Sequence, residues 1–419
     1  MRADPAAPEA GDVMTQYRTS WVVAIVGALW LCVILVGFVP WHPVPGGTQS
    51  LPEPSRYFSE GDIDRGEEFA REARVWQLSS LAVSLVFVAL LGFTRLGAAL
   101  MDRLRGPWWT RVPLAVITIA VVGRVVTLPF AIAMRRHRLD FELARGSWGG
   151  FAVDVVVSEL VEMAVASFGL LVVVGAARRW RRAWPAVAGG VLALSVGVGS
   201  LLYPVVVEPL FNSFSSLPEG PLRTEVLQLA DRMDVNVDDV LVADASRRTT
   251  TINAYVSGFG PTRRVVVYDN LVDDLGEPET LSVVAHELAH AKNPDVLIGT
   301  SSGAAGLLLA TGLLGLVLRR RPQGNGLADA RAVPRVLALV AVASALVSPV
   351  EAAISQRIEA RADVEALQVS SPAAFIALQQ ELARRSAADL TPPAWSQFWF
   401  STHPTTLARI ANAERQAAE

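Results

Sequence analysis

Long apolar runs separated by short polar loops fill the first half of the chain and return near its end. Seven of these runs reach the roughly 20 residues that a helix needs to cross a bilayer. They cover about 20–40, 76–97, 109–134, 150–176, 184–211, 296–318 and 335–354. The pattern therefore predicts a multi-pass membrane protein built around a bundle of seven helices.

Two polar blocks, at 212–295 and 355–419, are long enough to hold a catalytic domain. In the first block, the residue pattern predicts a helix at 223–234, strands at 240–242, 254–256 and 264–268, a turn at 258–261 and a helix at 279–293. We therefore expect a mainly α fold, in which a seven-transmembrane-helix bundle is combined with a small α+β domain formed from the two blocks. The consecutive regions are expected at 1–211 with five membrane helices, 212–295, 296–354 with helices six and seven, and 355–419.

The composition agrees with a membrane protein and narrows the range of partners. Hydrophobic residues make up 52% of the chain and charged residues only 18%, against about a quarter in soluble domains. The mean hydropathy is +0.37. A net charge of −3 provides no polycationic surface, so the lipid bilayer is an expected partner and nucleic acid is not. The arginine-rich, lysine-poor composition suggests a bacterial protein, and hence an integral protein of the plasma membrane.

Arginine-rich loops bear on the orientation of the chain, because such loops tend to lie in the cytoplasm. Alternate loops carry Arg103 and Arg105, then Arg178, Arg179, Arg181 and Arg182, then Arg319, Arg320 and Arg321. Taken alone, these loops place both polar blocks outside the cytoplasm. The loop at 135–145, with four further arginines, indicates the opposite. The side of the membrane on which the catalytic blocks lie therefore stays open.

The segment His286-Glu287-Leu288-Ala289-His290 is an H-E-x-x-H motif. On an α-helix its two histidines lie about 40° apart around the axis, so both imidazoles can bind one ion. Zinc held in this way lowers the pKa of a bound water to about 7, and a carboxylate next to the first histidine can accept the proton. We predict one Zn²⁺ per chain, with His286 and His290 as ligands and Glu287 as the catalytic base.

A catalytic zinc needs a third protein ligand and an open fourth position. No further histidine follows the motif at a suitable spacing. Just beyond the seventh apolar run, Glu359 and Asp363 are spaced i, i+4 and therefore share one face of a helix. We predict Glu359 as the third ligand, and Asp363 as the acceptor that holds the second N–H of a ligand histidine. The alternative is a solvated acid pair beside Arg357 and Arg361.

Two competing interpretations use the same motif. Intramembrane site-2-type metalloproteases combine H-E-x-x-H with an N-P-D segment, and Asn293-Pro294-Asp295 has that form. On a continuous helix, however, Asp295 would lie about 140° away from the metal-binding face. The non-enzymatic alternative is a seven-helix receptor or transporter with a structural zinc. Such a zinc has four protein ligands, whereas the sequence offers three convincing ones.

Several segments outside the zinc motif extend the pattern. They are Pro209-Leu210-Phe211-Asn212, Phe214, Leu217-Pro218-Glu219-Gly220, Asp244-Ala245-Ser246-Arg247-Arg248-Thr249, Asn253-Ala254-Tyr255, Gly258, Arg264-Val265-Val266-Val267-Tyr268-Asp269, Glu359 with Asp363, and Thr402-His403-Pro404 with Arg409. Together they resemble the type I CAAX prenyl proteases, integral-membrane zinc endopeptidases of the gluzincin type. The resemblance is strong over about 200–415, with Ala289 where the family commonly has glycine.

This resemblance implies membrane helices that enclose a large water-filled chamber with zinc at its wall. It implies a peptide or protein substrate, including proteins with a lipidated C-terminus, from which the family removes a C-terminal tripeptide. A broader role in membrane protein quality control is the wider expectation. The resemblance also gives His403 a catalytic role in stabilising the oxyanion. It places Asn253, Tyr255 and Arg409 among the substrate-binding residues, the first two through strand addition at a sheet edge.

Ionisable residues also occur within the apolar runs. The third run carries Arg124, and the fourth carries Asp154, Glu159 and Glu162. Placing such groups inside a bilayer costs free energy unless they are paired with an opposite charge or hydrated. A water-filled chamber would explain them, and so would a structural Arg–Glu pair.

Overall fold

The computed structural model describes residues 10–47, 50–258, 263–318 and 326–418, which are mainly helical. The α-helices are α1 (Ala10–Gly37), α2 (Glu60–Phe93), α3 (Arg95–Arg103), α4 (Trp108–Asp140), α5 (Trp148–Arg179), α6 (Trp184–Val206), α7 (Glu208–Phe211), α8 (Pro221–Arg232), α9 (Asp269–Asp274), α10 (Glu277–Lys292), α11 (Asp295–Val317), α12 (Val333–Leu367), α13 (Pro372–Ser386), α14 (Ala394–Phe400) and α15 (Thr406–Ala418). The strands are β1 (Phe214–Ser216), β2 (Asp239–Ala243), β3 (Ala254–Ser257) and β4 (Arg264–Tyr268). The predicted fold class, mainly α with a small mixed domain, is confirmed.

Seven helical segments of the described chain are long and apolar enough to cross a membrane. They are Met14–Gly37, Glu60–Phe93, Trp108–Asp140, Trp148–Arg179, Trp184–Phe211, Asp295–Val317 and Ala330–Leu367. Each contains or overlaps one of the seven predicted apolar runs. The arginine loop at 319–321, which entered the prediction of orientation, lies outside the described residues.

Two of these helices extend well beyond their apolar runs. α2 already begins at Glu60, where Ser59 and Asp62 form a capping box that satisfies the first backbone N–H groups. α12 continues without a break to Leu367. The division expected between 354 and 355 therefore falls inside a single helix, and the seventh membrane helix passes directly into the catalytic half.

The small sheet has the strand order β1-β2-β4-β3. β2 and β4 pair in parallel, whereas β1 and β3 pair with them antiparallel. Three of the four strands match predicted segments, and β1 was missed because three residues give too short a pattern. β3 lies at one edge of this sheet. The turn predicted after β3 falls largely on residues 259–262, outside the described part of the chain.

One apolar core joins this sheet to the helices that surround it. It contains Val226 and Leu229 of α8, Val265 of β4, Leu288 of α10 and Ala362 of α12, all almost completely buried. Burial of each of the larger side chains contributes about 1.5–3 kcal/mol. The core therefore fixes α10 and the polar end of α12 against each other.

An open cavity of about 760 Å³ lies between α2, α4, α5 and α12 in the membrane half. Arg124, Glu159 and Glu162 all line it, and Arg124 is paired with Glu159. Asp154 instead approaches Arg248 of the catalytic block, with 3.7 Å between Oδ2 and Nη1. The structure therefore shows an Arg–Glu pair among these charges, and this pair lines a cavity.

α1 and α11 pack with their backbones in direct contact, through a glycine on each helix. A Cβ atom added at Gly312 would lie 2.5 Å from the Ala24 nitrogen, and one at Gly27 would lie 2.5 Å from the Leu309 nitrogen. Gly306, also on α11, has open space at the same position. Small residues permit this approach of membrane helices, so van der Waals contact between backbones holds α11 in place.

We expect Gly312→Ala to destabilise the folded protein by about 1–3 kcal/mol, because the new methyl group overlaps the α1 backbone. Gly306→Ala is the matched control, because it brings the same gain in helix propensity without the overlap. Thermal unfolding in detergent, followed by tryptophan fluorescence, should show a lower midpoint for Gly312→Ala only. Equal midpoints for the two variants would contradict the close packing of α1 on α11.

Candidate active site

The H-E-x-x-H motif lies on α10, whose sequence favours the start of a helix. Pro278 occupies the first turn, and Glu277 and Glu279 lie near the positive end of the helix dipole. On the inner face, Val284 and Leu288 are completely buried in the catalytic core. This packing fixes the rotation of α10, so that both motif histidines face α12.

Three predicted ligands converge at the contact between α10 and α12. His286 Nε2 lies 3.2 Å from His290 Nε2 and 3.1 Å from Glu359 Oε2. His290 Nε2 lies 3.5 Å from Glu359 Oε1. One ligand atom from each residue falls within 4.8 Å of the others. The structure therefore brings together two imidazoles one helical turn apart and a carboxylate 73 residues away in sequence.

A carboxylate also stands behind each histidine. His286 Nδ1 lies 2.9 Å from Asp363 Oδ1, although its N–H points away from the ideal hydrogen-bond line. His290 Nδ1 donates to Asp295 Oδ2 at 2.9 Å. A carboxylate next to Nδ1 favours the tautomer with its proton there, which leaves the Nε2 lone pair free to bind a metal.

The donor set fits a divalent metal ion. Two Nε2 lone pairs and the Glu359 carboxylate face one another at close range, and a cation between them relieves their mutual repulsion. Burial lowers the pKa of His286, but the carboxylates of Asp363 and Glu359 outweigh burial and raise it to about 10. The surroundings therefore favour positive charge strongly, and two nitrogens with one oxygen are ligands that zinc accepts.

Arg409 is buried behind the site rather than open to a substrate. Its Nε and Nη2 atoms form two hydrogen bonds to Asp363, of 2.8 and 2.5 Å, and its guanidinium lies 5.7 Å from the centre of the Phe375 ring. Burial lowers the pKa of Arg409, but the Asp363 carboxylate more than compensates. The substrate contact expected for Arg409 is corrected accordingly, because its donors are occupied by a residue that supports His286.

Glu287 follows the first histidine and is only half-buried. Burial raises the pKa of its carboxyl group, and positive charge on His286 and His290 partly opposes this rise. Among the described residues, none donates a hydrogen bond to this carboxylate. Glu287 therefore combines a position beside both histidines with a carboxylate that is available to accept a proton.

The C-terminal T-H-P element reaches the same site. His403 Nε2 lies 3.2 Å from Glu359 Oε2, and about half of the His403 side chain is exposed. Gln397 and Ser401 donate hydrogen bonds to its backbone carbonyl, and Thr402 Oγ1 lies 2.9 Å from its Nδ1. The structure thus holds His403 at the open side of the three converging ligands.

The two other predicted substrate-binding residues lie at the edge strand β3. Asn253, directly before β3, is exposed, and its carbonyl accepts from the Tyr268 N–H of β4. Tyr255 lies within β3, where burial and then the Glu208 carboxylate raise the pKa of its phenol. Tyr255 is half-buried, so Asn253 is the more accessible of the two.

Comparison with known proteins agrees with this geometry. The model of peptidase family M48 matches residues 216–417, a range that includes all the converging residues. This match to peptidase family M48 covers just under half of the chain, and the chain is a metalloendopeptidase.

Relatives of this M48 peptidase occur in bacteria and eukaryotes. The uncharacterized metalloprotease YhfN of Bacillus subtilis is 27% identical over 312 residues, 72% of each chain. The CAAX prenyl protease 1 homolog of rice, Oryza sativa, is 43% identical over 105 residues, 25% of this chain and 24% of the relative. The crystal structure of S. mikatae Ste24p has the same fold, with a TM-score of 0.77 at 17% identity, and the match covers 98% of this chain and 100% of that one.

One pair of site residues in this M48 peptidase escaped the sequence prediction. Asp295 contacts His290, and Arg361 of α12 pairs with Asp295. The prediction treated His290 and Asp295 as part of one helix, which was wrong, because α10 ends at Lys292 and α11 begins at Asp295. Pro294 was the available signal, since a residue before proline is driven out of the helical conformation.

We expect Arg409→Met to lower the free energy of unfolding of the metal-free peptidase by about 3–5 kcal/mol. The reason is that this change leaves the buried Asp363 carboxylate without its cationic partner. Arg415→Met is the control on the same helix, because Arg415 makes one exposed bond to the Gly47 carbonyl and should cost less than about 1 kcal/mol. Denaturant unfolding in detergent micelles tests both variants, and similar losses would refute a special role for the buried pair.

Proposed function

We propose that this M48 peptidase is a membrane-embedded zinc endopeptidase with His286, His290 and Glu359 as the zinc ligands. Glu287 is its general base. The observation that supports this assignment most directly is the convergence of two imidazole nitrogens and one carboxylate oxygen within 4.8 Å of one another, beside the Glu287 carboxylate. The structural-zinc alternative needs a fourth ligand in this cluster, and the described donors converge as a set of three.

The chemistry is divided between the metal and the residues around it. Zinc, when bound, polarises the scissile carbonyl and acidifies a water molecule. Glu287 accepts the proton of the attacking water, and its raised pKa makes it a stronger base. Glu287 then returns the proton to the leaving amine. His403 directs its Nε2–H towards the oxygen that becomes negatively charged during attack.

The bound peptide pairs with the open edge of β3, next to Asn253. Backbone pairing of this kind binds many sequences, because it uses main-chain hydrogen bonds. Two substrate classes are consistent with such an edge. The names of the rice and yeast relatives support removal of C-terminal residues from prenylated CAAX proteins. The bacterial relative is described only as a metalloprotease, and broader proteolysis, such as membrane protein quality control, is the second class proposed.

We expect Glu287→Gln to lower kcat by a factor of about 10²–10⁴, because proton transfer is lost while the zinc ligands are retained. Glu279→Gln, in the first turn of the same helix, is the control and should retain activity. Cleavage of a quenched-fluorescence peptide by reconstituted protein measures kcat, and elemental analysis measures bound zinc.

A chelator should abolish wild-type cleavage, and zinc should restore it. Unchanged cleavage by Glu287→Gln would end the proposed mechanism, and zinc-bound protein without any cleavage would favour the receptor or transporter alternative.

The substrate class can be tested by a pair of peptides that differ only in lipidation. If the chain processes CAAX proteins, a farnesylated CAAX peptide should be cleaved with a kcat/KM at least about tenfold above its unprenylated form, because burial of each CH₂ contributes about 0.8 kcal/mol. Mass spectrometry of the products would show release of the C-terminal tripeptide. Equal cleavage of both peptides would contradict prenyl recognition and support the broader proteolytic role.

A further inference from the structure

We propose that Asp295 and Arg361 act as a positioning pair, which holds the His290 ring in its metal-binding orientation and anchors it to the membrane helices. This inference rests on the proposed zinc site but assigns residues outside its ligand set and its base. It concerns how the second histidine is held, which the H-E-x-x-H pattern leaves open. The two residues are referred to below as the Asp295–Arg361 pair.

The contacts form a continuous chain from the ring to α12. His290 Nδ1 donates to Asp295 Oδ2 at 2.9 Å. The other oxygen of Asp295, Oδ1, accepts from Arg361 Nη2. The Asp295 side chain is only 9% exposed and the Arg361 side chain 17%. Both carboxylate oxygens are therefore committed, one to the imidazole and one to the guanidinium.

The backbone between the two helices makes this contact possible. Asn293 is extended, with φ −87° and ψ 160°, and Pro294 follows it. Because α10 ends before Pro294, the chain changes direction between α10 and α11. Asp295 therefore lies next to the His290 ring, whereas on a continuous helix it would lie about 140° away around the axis. The N-P-D segment is thus used to support a ligand histidine from the first residue of α11.

The negative charge of Asp295 allows its carboxylate to accept hydrogen bonds from both His290 and Arg361. An ionised Asp295 accepts at both oxygens, which keeps the His290 proton on Nδ1 and the lone pair on Nε2. An asparagine cannot meet both demands, because its amide would present N–H groups either to the imidazole N–H or to Arg361. Asp295→Asn therefore alters ring orientation while preserving side-chain volume.

Both ligand histidines are supported from α12, and each has a second supporting element of its own. His286 is backed by Asp363 of α12 and, behind it, by Arg409 of α15. His290 is backed by Arg361 of α12 through Asp295, at the start of α11, and both α11 and α12 belong to candidate membrane spans. The second histidine therefore depends on the relative position of two membrane helices.

A neighbouring contact provides a matched control. Asn293 Nδ2 donates to Glu365 Oε1 at 2.9 Å, one helical turn along α12 from Arg361. This bond joins the same two segments of chain without touching a ligand histidine. Glu365→Gln therefore tests the docking of the α10–α11 junction on α12, whereas Asp295→Asn tests that docking together with ring orientation.

The experiment compares wild type, Asp295→Asn, Arg361→Met and Glu365→Gln as full-length protein in detergent. Zinc affinity is measured by competition with a chromophoric chelator, and the geometry of the site by the visible spectrum after cobalt substitution. We expect Asp295→Asn to weaken zinc binding about 10–100-fold and to shift the cobalt bands, with Arg361→Met changing both in the same direction. Glu365→Gln should bind zinc within about threefold of wild type and keep the wild-type spectrum. Thermal unfolding of the metal-free proteins should show similar midpoints for Asp295→Asn and Glu365→Gln.

Several results would overturn the positioning role. Wild-type zinc affinity and an unchanged spectrum in Asp295→Asn would do so, and so would an equal loss of affinity in Glu365→Gln, which would reduce the contact to simple docking. In either case wild-type zinc binding and peptide cleavage would leave the proposed function intact. Absence of zinc binding in wild type itself would remove the proposed function and the Asp295–Arg361 pair together.

Discussion

An excess of negative charge at one buried site is the constraint on which the catalytic half depends. A Glu359 oxygen and one nitrogen from each of His286 and His290 meet within 4.8 Å, in surroundings where charge is poorly screened. Asp363 and Asp295 add two more carboxylates, and Arg409 and Arg361 provide two guanidinium groups. Three carboxylates against two cations leave one negative charge, and Glu287 brings a second. A divalent cation balances this total.

The rest of the catalytic domain holds these charged groups and the two histidines in place. The apolar core sets the rotation of α10 and presses it against α12. The T-H-P element brings a further imidazole to Glu359 from near the end of the chain. β3, at one edge of the sheet, contacts α10. Because each supporting element comes from a different part of the sequence, the site exists only in the folded chain.

The sequence was sufficient for the parts of the molecule that follow a local pattern. Hydrophobic runs long enough for a bilayer located the seven apolar helices of the described chain. The H-E-x-x-H spacing and the Glu359–Asp363 spacing predicted three donors, His286, His290 and Glu359, that the structure brings within 4.8 Å of one another. Hydropathy could not show that α12 continues into the polar tail, because backbone hydrogen bonds extend a helix regardless of side-chain polarity. Asp295 and Arg409 were misplaced for another reason. Their partners are decided by a helix break and by packing across 46 residues, neither of which leaves a periodic signal.

The unbroken course of α12 has a mechanical consequence. Pro349, within its membrane portion, lies ten residues before Glu359, or about 15 Å along the axis at about 1.5 Å per residue. A tilt of about 4° at that point displaces the far carboxylate by about 1 Å, a misplacement that can lower an enzymatic rate about a hundredfold. Helices tilt to match the hydrocarbon thickness around them. A change in the thickness of the surrounding lipid can thus move Glu359, the carboxylate proposed as the third zinc ligand.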